Sequence, residues 1–588
     1  MRLFSRAGLL AALLASGCQG SIGDPLDGPA TGPDDPSNPL TFECTPGADP
    51  SATDIKRLTT RQYENTLRDL LAALPEADRE AIMASLDAPL GLVPADVRDK
   101  DRDYVQMDES VSQSHVDGYY AVGRTFGAGV TETSARLGAF VGACAVDADI
   151  GNDAACVDAF IERFGALAMR RPLTADEVAF FRDEIYAVEG PLDPRGVVDV
   201  VTALLMSPQF SFHIENGSAP VEGREDLYQL TGYEIAARLS YHFWQTMPDA
   251  QLMEAAANGA LETEEGFASE LARVFEDPRT QLAVDDFYRQ WLKLDDLPNM
   301  LEASGLPDYQ AFAGDDLPGP DFRANMAADA QNLLRYYTWA TDGGFDEVFL
   351  SNLSFATTPD LAAIYGVPVW SGEGEPPALP EGQRAGLLTR VALVANNKKT
   401  TRPIMKGAFI RKRLLCDPLE LPANMNNMSS NLEVDSELST RQRVEALTEQ
   451  SGAACSSCHA QLNPLGYTTE SYDGLGRYRT AEKLYDAQGN LLAEVPVDTS
   501  AVPEILSGDE QPVADALELS ELLVDSGKAH ACFARHYFRF TTGRREDFAA
   551  DGCVLEELRR GIVEGGSLRE MLVQIAARPE FRLRKQGA

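Results

Sequence analysis

Apolar residues recur along this chain at the spacing of helix faces, and several of these runs begin with a helix-capping signal. A Ser or Thr followed three residues later by Glu or Gln forms a capping box, and such boxes start at Thr59, Thr174, Thr231, Ser439 and Ser567. After the first box, Tyr63, Leu67 and Leu70 fall on one helix face. The pattern predicts a mainly α-helical protein.

Signals for β structure are few. The clearest is the stretch 483–497, where a turn around 486–490 separates two short runs and predicts a hairpin. Stretches rich in Gly, Pro, Asn or Ser at 367–382, 417–437 and 495–513 break the helical pattern. The expected fold class is therefore mainly α, with several helical domains in series and minor β-hairpin content.

The first 18 residues read as an export signal. A basic start with Arg2 and Arg6 precedes an apolar run at 7–15 and then Ser16-Gly17-Cys18. A cysteine after small residues resembles a bacterial lipobox, so Cys18 is predicted to become a lipidated N-terminus. Gln19 favours the outer membrane or cell surface, with the periplasmic face also open. The alternative is an ordinary signal peptide with an incidental cysteine.

Residues 19–53 are expected to form a flexible tether, because Gly, Pro, Asp and Ser dominate the stretch before residue 40. No later stretch is apolar and long enough to cross a membrane. The formal net charge of -40 argues against nucleic acid as a partner, because phosphate would be repelled. The expected partners are the membrane, through the lipid anchor, and a redox protein.

The segment Cys455-Ser456-Ser457-Cys458-His459 has the C-x-x-C-H spacing of a c-type haem attachment site. Two thiols about one helical turn apart can each add to a haem vinyl group, and the adjacent imidazole can ligate the iron. We therefore predict covalent haem c on Cys455 and Cys458, with His459 as axial ligand. A carbonyl near Pro464 is expected to accept the Nδ1 proton of His459 and fix its tautomer.

Side chains after the motif have two interpretations each. Tyr467, Tyr472 and Tyr478 either wall a porphyrin or pack in the core. Arg477 and Arg479 either pair with haem propionates or are solvated surface charges.

The second axial ligand is less clear from the sequence. Met425 and Met428 lie in the Asn-rich linker, whereas His530 and His536 lie in a later helical stretch. These four residues are the candidate sixth ligands, and an open sixth position is the alternative. His536 also has the aromatic neighbours of an ordinary core residue.

Competing interpretations of C-x-x-C are a disulfide and part of a zinc site. Zinc would need further ligands such as Cys416, and no second C-x-x-C or H-x-x-x-H accompanies the motif. Excluding Cys18 and the motif, six cysteines remain, and an even number in an exported protein predicts up to three disulfides. Local pairing of Cys144 with Cys156, and of Cys532 with Cys553, is preferred.

Several segments together resemble the planctomycete-cytochrome-associated domains of unknown function, the series numbered in the fifteen-eighties and fifteen-nineties. The matching segments are RLTTRQY and NTLRDLL (57–63, 65–71), RRPLT (170–174), YEIAARLSY, FW and MPD (233–241, 243–244, 247–249), GLL (386–388), 455–479 and TGR (542–544). The resemblance implies a chain of modules with a cytochrome c-like unit around C-x-x-C-H. It implies no particular reaction, so enzyme activity stays uncertain.

The chain divides into seven predicted stretches: 1–18 signal peptide, 19–53 tether, 54–145 and 146–222 helical modules, 223–353 central helical domain, 354–482 cytochrome-like module, and 483–588 hairpin with C-terminal helical module. The predicted function is an exported lipoprotein with one covalent c-type haem, acting in extracytoplasmic electron transfer or as a haem-dependent oxidoreductase. The alternative is a non-redox surface binding or structural protein in which C-x-x-C is a disulfide. Catalytic residues are not assigned.

Overall fold

A computed structural model describes residues 38–45, 55–98, 104, 110–188, 190–419, 437–449, 456–506 and 508–585. Within these ranges the chain forms 24 α-helices and seven short strands, so the mainly α prediction is confirmed. Four residues with predicted roles lie outside the described ranges: Cys18, Met425, Met428 and Cys455.

The N-terminal part is a helical unit with one hydrophobic core, which residues of both predicted modules, 54–145 and 146–222, share. Helices α3 (Gln113–Thr131) and α7 (Pro194–Met206) cross closely because Gly123 and Gly127 of α3 lack side chains. A Cβ on Gly123 would lie 3.0 Å from Thr202 of α7, and one on Gly127 would lie 3.0 Å from Val198. The elements are β1 (Lys56–Arg57), α1 (Thr60–Leu70), α2 (Glu76–Leu90), α3 (Gln113–Thr131), α4 (Ser134–Phe140), α5 (Asp153–Met169), α6 (Ala175–Phe180), α7 (Pro194–Met206), α8 (Pro208–Ser211) and β2 (Phe212–His213). Strands β1 and β2 pair antiparallel and close this unit.

The central part contributes most of its helices to a second, larger core. Its elements are β3 (Ala219–Val221), β4 (Arg224–Gln229), α9 (Gly232–Phe243), α10 (Ala250–Ala257), α11 (Glu264–Glu276), α12 (Pro278–Trp291), α13 (Pro307–Ala313), α14 (Phe322–Arg335), α15 (Phe345–Leu350) and α16 (Pro359–Tyr365). Tyr241 and Met247 belong instead to the N-terminal core, so this part joins the two cores.

The remaining elements complete the larger core. They are α17 (Val391–Val394), α18 (Pro403–Phe409), α19 (Thr440–Thr448), α20 (Ser456–Tyr467), β5 (Ala481–Tyr485), β6 (Leu491–Pro496), α21 (Ala516–Asp525), α22 (Lys528–Thr542), α23 (Phe548–Val563), α24 (Leu568–Ala577) and β7 (Leu583–Lys585). Strands β5 and β6 form the predicted hairpin. Strand β7 pairs with β4, which brings the C-terminal part back to the centre of the chain.

All five predicted capping boxes are present. Thr59, Thr174, Thr231, Ser439 and Ser567 each accept a hydrogen bond from the backbone three residues later, and the Gln or Glu there caps in return. These bonds satisfy two of the backbone donors that a helix N-terminus leaves unpaired, so each helix begins where its box predicts.

Three disulfides form within the described residues, and only one of the two preferred pairings is right. Cys144 pairs with Cys156 as predicted. The pairing of Cys532 with Cys553 is wrong, because Cys532 bonds Cys416 and Cys553 bonds Cys44.

The reason lies in what each cysteine faces. Cys532 lies on α22 and is buried towards Cys416, after the turn that follows α18. Cys553 lies on α23, against which residues 38–45 pack so closely that a Cβ on Gly552 would lie 2.1 Å from the Glu43 carbonyl oxygen. This part of the predicted tether is therefore packed on the protein.

Within the described ranges, none of the helices combines the length and the apolar character needed to cross a bilayer.

Candidate functional site

The C-x-x-C-H segment lies at the start of α20. The helix begins at Ser456, so Cys458 and His459 occupy its first turn. Cys458 and His459 are both partly buried. Cys458 is the one cysteine of the described ranges that is not in a disulfide. A thiol and an imidazole are thus presented together at a helix end.

Helix α20 is fixed by an unusually close crossing with α18. A Cβ on Gly407 of α18 would lie 1.9 Å from the Leu462 carbonyl oxygen. In return, a Cβ on Gly466 of α20 would lie 1.9 Å from the Pro403 carbonyl oxygen. Because only glycine allows these backbones to touch, the two glycines determine how α20 sits and where it directs His459.

The tautomer of His459 follows from its neighbours. Its Nδ1 lies 3.1 Å from Oδ1 of Asn463, four residues later on the same helix face. The Asn463 amide nitrogen donates to Thr448 Oγ1 at 3.0 Å and to Glu449 Oε1 at 2.8 Å. Its oxygen must therefore be the atom that faces His459, and an oxygen only accepts. Nδ1 then carries the proton, which leaves the lone pair of His459 on Nε2.

The sequence predicts a carbonyl near Pro464 in this role, and the acceptor is the side-chain carbonyl of Asn463. The sequence did not identify Asn463 or Glu449 as part of the site. Glu449 accepts from the Asn463 amide and also from the Tyr467 hydroxyl, at 2.7 Å. An amide four residues after a candidate ligand histidine is the sequence signal that could have identified Asn463. Glu449 gives no such signal, because it comes from α19's end.

The aromatic and basic residues after the motif are engaged within the protein. Tyr467 is buried, and the Tyr472 hydroxyl, also buried, donates to the Gln383 carbonyl oxygen at 2.6 Å. Tyr478 is exposed. Arg477 pairs with Asp473 at 2.8 Å and Asp316 at 2.9 Å.

Arg479 belongs to a buried charged cluster next to α20. It lies 3.4 Å from Glu470 and 3.8 Å from Glu482, and Lys406 of α18 is buried beside Glu470. Burial lowers the pKa of Lys406 to about 8 and raises the pKa of Glu470. Arg443 also lies 4.0 Å from Glu482, so Arg479 is part of a network of buried ion pairs. Arg477 has its own pairs with Asp473 and Asp316, and neither arginine is a solvated surface charge.

The two histidine candidates for a second axial ligand both lie on α22. The Nε2 of His530 lies 2.7 Å from Asp346 Oδ1, and the ring packs at a tilt against Phe345, with ring centroids 4.9 Å apart. His536 is 0 % exposed and packs against Tyr104. Neither of its ring nitrogens has a hydrogen-bond partner in the described part of the chain. Burial and the Arg413 guanidinium hold its pKa far below the usual value.

Cys416 is not available as a zinc ligand, because it is bonded to Cys532. These two sulfurs and His536 are the one group of three potential metal ligands that comes together in the described ranges. With both sulfurs in a disulfide, this group cannot bind a metal through thiolates.

Five domain families of unknown function match the chain in series. Each is described as a protein of unknown function: DUF1587 over residues 56–131, DUF1595 over 156–215, DUF1592 over 230–367, DUF1588 over 384–482 and DUF1585 over 509–581. No curated protein and no solved structure matches the chain. The DUF1588 match includes residues 455–459 and helices α18 and α20. The chain therefore belongs to the family of proteins that carry these planctomycete-cytochrome-associated domains in series.

Proposed function

We propose that this protein carries one c-type haem, bound covalently through Cys455 and Cys458 with His459 as axial ligand. We propose further that it works in extracytoplasmic electron transfer or as a haem-dependent oxidoreductase. The observation that carries the proposal is the 3.1 Å contact between His459 Nδ1 and Asn463 Oδ1, with the Asn463 amide itself held by two acceptors. A histidine that ligates iron uses one ring nitrogen and donates from the other.

Cys458 and His459 supply two of the three groups that a haem c attachment site needs. Cys458 is outside the disulfides, so its thiol can form a thioether, whereas six other cysteines are bonded in pairs. Imidazole is a common axial ligand of haem iron. When bound, the haem would supply one-electron chemistry at its iron.

The protein's own contribution is to hold the ligand. The crossing of α18 and α20 fixes the helix that bears His459, and Asn463 keeps the proton on Nδ1. Glu449 accepts from both Asn463 and Tyr467. This carboxylate draws the Nδ1 proton towards Asn463 through the amide, which makes Nε2 a stronger electron donor.

The cellular setting is part of the same proposal. Three disulfides are typical of a protein that folds in an oxidising compartment. A lipid on Cys18 would anchor the chain to the outer membrane or cell surface. The net charge of -40 suits docking of a cationic redox partner rather than nucleic acid.

The test is covalent haem on purified full-length protein, produced in a host with haem-ligation machinery. We expect about one haem per chain by pyridine haemochrome spectrum, and a band on a peroxidase-stained denaturing gel. Cys455→Ala and Cys458→Ala should each weaken or abolish that band.

The matched control is the double variant Cys144→Ala/Cys156→Ala, which removes two cysteines from a disulfide and should keep its haem. Colourless wild-type protein from a host that matures a reference cytochrome would contradict the proposal. That outcome would favour the non-redox surface protein with a C-x-x-C disulfide.

Membrane anchoring has its own test. Metabolic labelling with a radioactive fatty acid should label the wild type and place it in the membrane fraction. Cys18→Ala should lose both the label and the membrane association, while label that persists in the variant would exclude lipidation at Cys18.

A further inference from the structure

A cavity of about 590 Å³ lies between the N-terminal unit, the central part and the C-terminal elements. The start of α1 lines it, together with the region from β2 to the end of α9, the end of α12, and the C-terminal elements from α22 to β7. Its volume is within the range of small-molecule sites, ~300–1,000 Å³. Neither Cys458 nor His459 lines it.

The charges that line the cavity balance one another. Six cationic and seven carboxylate side chains contribute, and several are already paired. Arg238 donates to Glu215 at 2.8 Å. Arg544 donates to Asp551 at 2.7 and 2.8 Å. Charges that are paired within the wall do not select a charged ligand, because breaking a partly buried pair costs more than the new contact gains.

The two histidines that line the cavity, His213 and His242, add no positive charge to its wall. Burial and then Arg170 lower the pKa of His213 to about 3. Burial and then Arg238 lower the pKa of His242 to about 3. Both rings are therefore neutral in the ordinary pH range, which leaves the wall without strong net charge.

Neutral hydrogen-bonding groups form a connected row along the wall. His213 Nε2 lies 3.2 Å from Gln62 Oε1, and the Gln62 amide nitrogen donates to Gln245 Oε1 at 3.1 Å. Gln245 donates in turn to the Tyr241 carbonyl oxygen at 2.7 Å. These contacts hold the amides in fixed orientations, as a preorganised binding site requires.

Three buried polar atoms of lining residues make no hydrogen bond in the described part of the protein: Nε2 of His242, Oε1 of Gln290 and Oε2 of Glu580. The Glu580 oxygen is in an ion pair with Arg578 at 3.3 Å, which leaves the two neutral atoms without a partner. The amide nitrogen of Gln290 is fixed by Asp286 at 3.0 Å, so its oxygen is directed elsewhere. A buried polar atom without a partner is costly. Both atoms have almost no accessible surface, so a ligand that bonds them would do so with a small shift of the side chains at the wall.

Aromatic rings stand beside these groups. Phe581 packs edge-on against His242 with ring centroids 5.5 Å apart, and both line the cavity. Phe540 is also partly buried and lines it. Aromatic faces cover the C–H surface of a ligand, while amides and neutral imidazoles bond its polar edge.

We infer that this cavity binds a short, uncharged oligosaccharide. A sugar offers hydroxyls that donate and accept at every ring, together with C–H faces that pack on aromatic rings. Amides, neutral histidines and aromatics complement both features. A peptide would instead be recognised by a strand edge or pockets for apolar side chains. A metal ion is not favoured, because within the described ranges no three potential ligands of this wall come together.

The test is isothermal titration calorimetry on full-length protein. The probes are maltotriose, cellotriose, xylotriose and tri-N-acetylchitotriose, with trigalacturonate as an anionic comparison and N-acetyl-trialanine amide as a peptide. We expect at least one neutral trisaccharide to bind with a Kd below about 1 mM. Its Kd should change less than about twofold between low and high NaCl, because no charge pairing is involved.

Two variants remove the groups that lack partners. His242→Phe replaces the imidazole by an apolar aromatic ring and so removes Nε2, and Gln290→Leu replaces the amide by methyl groups, which also removes its bond to Asp286. Each should weaken binding by about tenfold, the effect of one lost hydrogen bond in a buried site. Because His242 Nε2 has no internal partner, its removal should not impair folding, which thermal unfolding of the variant will verify.

The matched control is Gln251→Leu, since Gln251 is exposed on α10 and does not line the cavity; its affinity should equal the wild type's. Absence of binding by all four neutral trisaccharides would overturn the inference. So would binding of trigalacturonate or the peptide alone, or variants that bind like the wild type. Cys455→Ala should bind normally, so this inference and the haem proposal can fail independently.

Discussion

The imidazole Nδ1 of His459 and the side-chain Oδ1 of Asn463 lie 3.1 Å apart, one helical turn from each other on α20. Because two acceptors fix the Asn463 amide, this contact sets the tautomer of His459. The site is thus organised by its own helix and by the helix before it. Single substitutions can therefore test what each of these contacts contributes.

Asn463→Leu should weaken iron ligation by His459 while the cysteines still hold the haem. Loss of the partner of a ligand histidine costs about 10–100-fold in metal affinity or activity. Since a proton competes with iron for Nε2, the acid midpoint for loss of the His459–iron bond should rise by about one to two pH units. A Soret titration of the haem-loaded variant measures it. An unchanged midpoint would mean that Asn463 does not support the ligand.

His536→Phe should stabilise the protein. Both ring nitrogens of His536 are buried without a hydrogen-bond partner in the described part of the chain, so a ring of similar shape removes an unsatisfied polar group. We expect the free energy of unfolding at neutral pH to rise by about 1–2 kcal/mol. Denaturant unfolding measures this, and the haem spectrum should stay unchanged. A low-spin to high-spin change would instead identify His536 as the sixth ligand.

Acid should destabilise the protein through His213 and His242. Burial lowers the pKa of both to about 3, whereas an unfolded histidine titrates near 6.5. Their neutral forms therefore contribute stability that is complete above pH ~6.5 and is lost as pH falls towards ~3. We expect a loss of about 1–2 kcal/mol per histidine between pH ~6.5 and ~5.

The measurement is the free energy of unfolding at several pH values in that window. The variant His213→Asn/His242→Phe should have a flatter pH dependence than the wild type. An equal slope in the two proteins would show that these histidines do not take up protons on unfolding.

Gly466→Ala should destabilise the α18–α20 crossing. A Cβ there would lie 1.9 Å from the Pro403 carbonyl oxygen, and such overpacking costs about 3 kcal/mol. Gly305→Ala is the matched control, because its Cβ would meet no atom within 4 Å, and its effect should stay within about 0.5 kcal/mol. Without the clash, replacing glycine by alanine in a helix would raise the free energy of unfolding by about 1 kcal/mol. A lower denaturant midpoint would therefore support the clash, and a higher midpoint would contradict it.

The disulfides should differ in their contribution to stability. Cys416 and Cys532 are 116 residues apart, whereas Cys144 and Cys156 are 12 apart. On the chain-entropy argument, the longer loop gives about 5 kcal/mol and the shorter about 3 kcal/mol. The paired Cys→Ala variants should therefore differ by about 2 kcal/mol in free energy of unfolding. Equal losses would indicate that native-state contacts, not loop closure, dominate.

Local features of the fold could be predicted from the sequence. The box from Thr59 to Gln62 and the hairpin around 486–490 depend on residues within a few positions, so their patterns are sufficient. The Cys144–Cys156 bond is also local. The sequence also predicts that a carbonyl oxygen accepts from His459 Nδ1, because the acceptor, the Asn463 side chain, is on the same helix.

Long-range features could not be predicted in this way. The partner of Cys553 is 509 residues away, and no spacing rule connects positions that meet only after several helices have packed. The cavity has the same origin, because Gln62, His242, Gln290 and Phe581 come from four distant stretches. Each looks like an ordinary surface or core residue until packing brings them together.

The bond from Cys44 to Cys553 also determines where mechanical load enters the molecule. A pull on the chain before residue 38 reaches α23 through a covalent bond, and this covalent path bypasses the residues between Cys44 and Cys553. Asn38 and Phe42, both buried against the C-terminal part, would share that load. If the protein is held at its N-terminus, force therefore enters the folded part at Cys553, in the last quarter of the sequence.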